Sequence, residues 1–415
     1  MGSKRPQSRH HVQPAAQRSL RVLVVGAGVG GISIARGLLR DGHDVTVFEQ
    51  RPEVRAGGGA VTIWSNGETV LRQLGVDMGG AGQELSTVRV MTSTGRPMTT
   101  LDVTAIVNRM GAPVRMVPRR ILLGRLLEGF PAERIRCNTR VVGVAEGGRG
   151  VRADFADGGC ADGDLVIGAD GLHSTVREIV GAPHAEPTGW CSWQGLATLP
   201  DGADRRVAFV ILGEHGNLGF WPAGGTEVQW WFDLPWSPDF VRPGRPIEVL
   251  RANFTGWSEL VDRVLATLTD DDLARSPYPH FRHPIPGPGH GAVTLLGDAA
   301  HTMPPTLAQG TNQALLDTMV LCKAISDLRG GADVSDALRR YEKTRRRRVA
   351  AVSRVASLQV SHGEAVLRPA AMVPDRVMTW VLATFLRAVS HRRMAADINR
   401  DLTPAPTTGS DEHAR

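Results

Sequence analysis

At 415 residues, 42% of them hydrophobic and 22% charged, the chain has the composition of a soluble globular enzyme and is long enough for two connected cores. No apolar run reaches the roughly 18 residues of a membrane span; the longest candidate, 377–386, ends on Arg387. The formal charge of +6 does not mark a nucleic-acid binder: Lys4, Arg5, Arg9 and Arg18 lie in an acid-free leading tail, and no reading motif accompanies them.

That tail, residues 1–19, has no apolar stretch of a secretory signal and reads as disordered, as does 401–415. Cys137, Cys160, Cys191 and Cys322 are scattered without metal-ligand spacing, so no metal is expected and reduced thiols in the cytoplasm are.

The ordered chain begins with Val22-Leu-Val-Val-Gly26-Ala-Gly28-Val-Gly-Gly31, a buried strand running through a glycine turn into a helix. Gly26 permits the turn, Gly28 lets backbone approach a pyrophosphate, and Gly31 lets helix pack on strand. Glu49 closes the second strand about twenty residues on, where a carboxylate accepts from an adenosine ribose hydroxyl. Arg55 precedes a glycine cluster; it either neutralises pyrophosphate or meets a nicotinamide cofactor, or is a surface arginine on a flexible loop.

Residues 86–104 alternate as a β-hairpin of a different sheet. Helical spacing resumes after Val117, with Arg119 near the helix start. There it opposes the helix dipole, so it is either beside an anionic ligand or plainly on the surface. Three short strands lead into Gly168-Ala-Asp170-Gly171, where Asp170 belongs to a second strand-to-helix site or merely caps the following helix. The stretch 189–284 reads as a Trp-rich antiparallel sheet, either an aromatic core or a pocket wall.

A second motif follows. A buried strand delivers Gly297-Asp298, a turn stiffened by Pro304 comes next, and Gly310 opens a helix carrying Asn312 and Asp317. Asp298 is placed to accept from a ribityl hydroxyl, and the helix start offers positive potential to a reduced flavin ring. His301 beside this motif lines the flavin cavity or stabilises the loop. The run Arg345–Arg348 reads as a solvated helix face. Residues 371–391 form a helix that either packs across both domains or makes a dimer face.

Gly26, Gly28, Gly31 and Glu49, then Asp170-Gly171, then Gly297-Asp298, resemble the three motifs of class A flavoprotein monooxygenases in that family's order, over about 21–349. The resemblance implies an α/β fold: a Rossmann-like FAD-binding domain with an inserted antiparallel-sheet substrate domain and C-terminal helices. The corresponding boundaries are 20–85, 112–187 and 285–335 for the first, 86–111 and 188–284 for the second, and 336–400 for the helices. It implies FAD bound by Gly26, Gly28, Gly31, Glu49, Arg55, Arg119, Asp170, Gly297, Asp298, Pro304, Gly310 and Asn312. It also implies NADPH or NADH as co-substrate and O2 added to the flavin as a C4a-hydroperoxide. The substrate is then a small aromatic or polycyclic compound, hydroxylated or epoxidised by a monomer or homodimer. Alternatives are a flavin reductase of the same fold and a flavin redox sensor. The family often has glycine where Ala308 stands. A base that ionises a phenol is worth seeking, and His215, Tyr278 and His280 are the candidates.

Overall fold

The computed structural model describes residues 19–390 except 148–149, 200–204, 286, 288, 327, 329–332 and 368, without side chains for 359–370. Apart from Ser19, the two expected tails lie outside the described residues, as do 391–400.

The first sheet is wholly parallel. Its strands, β1 (Arg21–Val25), β2 (Asp44–Phe48), β8 (Ile135–Arg136), β12 (Leu165–Gly168) and β18 (Val293–Leu295), lie in the order β18-β12-β1-β2-β8. Val22 to Val25 are buried because helices cover one face of the sheet, over Val22 and Val24, and an antiparallel meander covers the other, over Leu23 and Val25, so the central strand has no polar face. Helix α1 (Val29–Arg40) lies against α9 (Gly310–Ser326). Gly37 makes that contact close: a Cβ there would stand 2.6 Å from Cys322 Sγ. An antiparallel meander of β9 (Val141–Gly147), β10 (Gly150–Phe155) and β11 (Cys160–Gly163) feeds β12, one strand more than the sequence reading placed there. The short helix α5 (Thr175–Ile179) follows β12.

A small sheet of β3 (Ala60–Ile63), β7 (Arg115–Pro118) and β4 (Gln83–Glu84) joins this unit to the second, with α2 (Ser65–Gln73) and α4 (Arg119–Leu127) beside it.

The second unit is a seven-stranded sheet in the order β17-β13-β16-β15-β14-β5-β6. Its strands are β5 (Thr87–Thr92), β6 (Pro97–Asp102), β13 (Glu186–Thr198), β14 (Val207–Leu212), β15 (Asn217–Gly224), β16 (Glu227–Pro235) and β17 (Tyr278–Arg282). The early hairpin of β5 and β6 does join it, through a parallel β5–β14 pairing; the other pairings are antiparallel. Alternation splits the strands cleanly. Cys191, Trp193, Leu218, Phe220, Trp230 and Phe232 bury themselves against α6 (Pro246–Phe254) and α7 (Glu259–Thr267). The opposite face, with Leu196, Trp221 and Trp231, turns towards Ala60, Trp64 and α3 (Val103–Met110). The tryptophans therefore serve two aromatic cores, Trp193 and Trp230 in one and Trp64 and Trp221 in the other.

The long helix α10 (Val334–Leu367) packs on α9. After it, α11 (Asp375–Ala388) crosses the substrate sheet. Asp375 Oδ1 accepts from the Thr99 hydroxyl and the Thr100 N–H, and Thr379 Oγ1 accepts from Asp102 N–H. Its Phe385 touches both the Trp221 cluster and the Met303–Val352 cluster, which is the cross-domain arrangement. No helix among the described residues is long and apolar enough to cross a membrane.

Candidate cofactor and substrate site

The glycine turn after β1 is built by contacts only glycine allows. Gly26 sits at φ +100° and its N–H donates to the Phe48 carbonyl. A Cβ on Gly31 would lie 1.8 Å from the Gly26 carbonyl oxygen. Gly28, at the helix start, faces open space, with nothing within 4 Å of a built Cβ. No side chain caps α1 and its first turn holds no acid, so the unpaired N–H groups and the positive helix end are left for an anion. Glu49 follows β2 directly; its carboxylate accepts from Ala27 N–H and Arg51 N–H at 3.0 Å each, which fixes it at the mouth of the turn.

Four other predicted residues converge on the second motif. Asp298 is exposed, and Gly310 stands against it, a built Cβ there being 3.9 Å from Asp298 Oδ1. Arg119, the first residue of α4, makes no side-chain hydrogen bond among the described residues. Burial pushes its guanidinium below the ordinary value, while Asp298 and Tyr278 pull the other way. A half-buried cation lacking an anion and an exposed carboxylate lacking a donor together suit a ligand carrying both phosphate and hydroxyls. Pro304 lies buried in the connecting loop, and beyond it the buried Gln309 Nε2 has no partner.

The remaining assignments change. Asn312 spends its amide on backbone: Nδ2 donates to the Thr62 and Ala308 carbonyls and Oδ1 accepts from Trp64 N–H. Its side chain positions the loop, while its N–H lies in the first turn of α9. Asp170 supports the cap of α5: Ser174 is the N-cap, its Oγ accepting from Arg177 N–H at 2.9 Å, and Asp170 accepts from the Ser174 hydroxyl at 2.5 Å and from Val176 N–H at 3.2 Å. Arg55 is exposed and, among the described residues, pairs with Glu53 at 3.9 Å. His215 lies exposed in the turn between β14 and β15, whose flanking Gly213 and Gly216 press on Trp257 and Phe254. That places the turn at the α6 side of the sheet. Tyr278 and His280 are on the other face.

Of the residues that hold the second motif, the sequence assigns no role to Asp317, two to His301 and a solvated face to Arg345. Asp317, buried on α9, accepts from Gly297 N–H at 2.8 Å, from His301 Nε2 at 2.6 Å and from Arg345 Nε. Burial alone would push its carboxyl up, but His301 and Arg345 outweigh it and hold Asp317 below the usual value. Thus His301 stabilises the loop, and Arg345 is no part of a solvated face. It falls four residues after Tyr341 on α10, whose buried hydroxyl donates to the Leu295 carbonyl, so helical spacing turns both inward. Arg346 and Arg347 are exposed, as expected. Arg177, 2% exposed, donates to the carbonyls of Pro183, Pro284, Ala299 and Ala300, clamping α5 to the short helix α8 (Asp298–His301). Gln229 reaches from β16 to the glycine cluster, its Oε1 accepting from Ala60 N–H at 2.5 Å.

Ala308 occupies the left-handed region, φ +49° and ψ +38°, where a methyl group costs about 1 kcal/mol or more. Ala308→Gly is expected to raise the thermal midpoint of the FAD-loaded protein by about 1–3 °C. A lower midpoint would show that the methyl contact outweighs the strain.

The family model described as FAD binding domain matches residues 19–356. The chain belongs to the class A FAD-dependent monooxygenases. Within this family it is 34% identical over 346 residues to the 3-amino-4-hydroxybenzoate 2-monooxygenase of Streptomyces cremeus, covering 81% of this chain and 86% of that one. It is 29% identical to the aurachin C monooxygenase/isomerase of Stigmatella aurantiaca, covering 93% and 99%. Among solved structures, Klebsiella pneumoniae HpxO complexed with FAD and uric acid superposes with a TM-score of 0.74 at 26% identity, over 91% of this chain and 95% of that one. The fold class read from the sequence is the family's, and the cofactor is FAD.

Proposed function

We propose that this monooxygenase hydroxylates a small aromatic substrate bearing a hydroxyl or ring N–H, held between the substrate sheet and the loop from Asp298 to Gly310. The observation that carries the reading is the Trp221–Trp231 pair. The rings lie 6.0 Å apart on the face turned to the FAD-binding unit, with Trp231 only half-buried. Gly219 makes this possible, since a Cβ there would stand 2.0 Å from the Trp231 ring. Flat aromatic walls suit a flat substrate. The relatives named above act on an aminohydroxybenzoate or are recorded with uric acid, which supports the same class.

Gly26, Gly28, Gly31, Glu49, Arg119, Gly297, Asp298, Pro304 and Gly310 are our assignment for FAD contact. When bound, FAD supplies electron transfer from NADPH or NADH and the activation of O2. This chain contributes the apolar wall that orients the ring and keeps water away from it, and α11, whose Phe385 packs on both the Trp221 cluster and the Met303–Val352 cluster. The boundaries between FAD-binding and substrate units are proposed where the chain passes between the two large sheets, near 86, 112, 188 and 285. The free cysteines support a reducing cytoplasmic setting.

The test is NADPH and NADH consumption by the FAD-loaded protein with phenols, uric acid, 3-amino-4-hydroxybenzoate and polycyclic aromatics, with product masses read in parallel. Stimulated consumption and a product heavier by one oxygen are expected. Stimulation that yields only hydrogen peroxide with every ring would count against hydroxylation of this class.

A further inference from the structure

One row on the flavin-facing side of the substrate sheet is polar where its neighbours are aromatic. Tyr278, Ser192, Asp233 and Asn217 are successive cross-strand partners on β17, β13, β16 and β15. Partners in register point to one face, and this face lies away from α6 and α7, whose core is filled by the intervening Cys191, Trp193, Phe232 and Leu234. Two residues along β16 stands Trp231.

Within the row the Ser192 hydroxyl donates to Asp233 Oδ1 and lies 2.7 Å from His280 Nε2. A hydroxyl has one proton to give. While Asp233 is ionised, Ser192 gives it there, and His280 must donate from Nε2, leaving Nδ1 a bare acceptor. That tautomer agrees with a neutral ring, since burial pushes His280 down to about 4, and with a buried Nδ1 that has no partner.

The cluster is unlike a polar patch kept for stability. Asp233 receives one neutral donor, where a buried carboxylate ordinarily takes several donors or a cation. Its Oδ2 accepts nothing among the described residues, and the side chain keeps 11% of its surface open. Beside it Asn217 Oδ1 is also without a donor. Burial pushes Asp233 up to about 7, with the Ser192 bond drawing it back. The titratable groups around it in the sheet are His280, Tyr278 and, from the far face, the Cys191 thiol, itself pushed up to about 12 by burial and by Asp233.

We propose that Asp233, held by Ser192 and His280, is the base that takes the hydroxyl or ring N–H proton of a substrate lying against Trp221 and Trp231. This rests on the aromatic reading of the pocket given above. The substrate O–H or N–H bond breaks, its electron pair stays on the substrate, and the proton bonds to Asp233 Oδ2. The ring is then richer in electrons where an electrophilic oxygen attacks. Ser192 and His280 are positioning residues: Ser192 engages Oδ1, His280 holds Ser192, and Oδ2 is left without a partner among the described residues.

The probe is 4-nitrophenol, whose phenolate and phenol absorb at separate wavelengths, titrated into the FAD-loaded full chain across pH. In the wild type the probe shares its proton with Asp233, so its phenolate signal is expected to rise in two steps spread over about one pH unit or more. Asp233→Asn is expected to give a single step with half-ionisation displaced downward by about one pH unit or more, since no second anion then opposes the phenolate. Ser192→Ala, which leaves the carboxyl in place, is expected to bind the probe with a smaller displacement, and it decides the matter if Asp233→Asn loses FAD. Equal half-ionisation in wild type and both variants, with FAD and probe bound, overturns the role of Asp233. No binding of 4-nitrophenol to the wild type overturns the aromatic pocket itself, and so is distinguishable.

Discussion

Asp317→Ala is expected to cost about 3–5 kcal/mol, the usual penalty for removing one partner of a buried ionic network. The change strips Gly297 N–H, His301 and Arg345 of a shared acceptor at once, in a region where Asp317 is fully buried and Arg345 is 3% exposed. Because Gly297 N–H sets the direction of the Asp298 loop, FAD content should fall with stability. Thermal unfolding and the flavin-to-protein ratio read both; a variant that keeps its midpoint and its flavin would remove Asp317 from the role given to it. The pH dependence has a definite sign. A carboxyl held lower in the folded than in the unfolded protein contributes stability that is complete above about pH 4, the unfolded value, and is lost as pH falls through the folded one. The wild type should therefore show an acid-labile component that Asp317→Ala lacks.

The second large effect separates two glycines of one turn. Gly31→Ala drives a Cβ to 1.8 Å from the Gly26 carbonyl, a backbone atom that cannot give way without moving α1 off β1. The protein should lose FAD and several kcal/mol of stability together. Gly28→Ala meets nothing in the protein and its backbone lies at φ −74°, open to any residue. It should leave the FAD-free fold unchanged and weaken FAD binding by about tenfold or more, since the methyl enters the space assigned to pyrophosphate. Flavin titration alongside denaturant unfolding distinguishes them. Undiminished FAD affinity in Gly28→Ala would mean the phosphates lie elsewhere.

These two cases also show what was legible in the residues. The glycine turn could be read because its constraints are local: a strand, a positive φ and a helix contact all fall within ten residues. The β5–β6 hairpin was read as foreign to the first sheet because its period is two. Arg345 was misread because it sits in a run of like residues, and composition hides which one the helical period turns inward. Asn312 and Asp170 were assigned to the cofactor because they lie in motifs that bind it. Only coordinates show Asn312 Oδ1 on Trp64 N–H and Asp170 on Ser174. Ser192, Asp233 and His280 are far apart in sequence, and no periodicity joins them; the sheet register does.

The strand order has a consequence for synthesis. In the parallel sheet β1 pairs with β12, and β12 with β18, so the edge that delivers Gly297 and Asp298 enters only after all of β13 to β17 has been made. In the substrate sheet β5 must wait for β14, Thr87 meeting Val207. The substrate sheet therefore has all its strands before the parallel sheet receives its last one, and closing such long loops is slow. A nascent chain stopped before Val293 would hold an assembled glycine turn with half a cofactor seat. FAD in the cell can then capture only the nearly finished protein, which makes flavin availability a determinant of how much newly made chain reaches the native state.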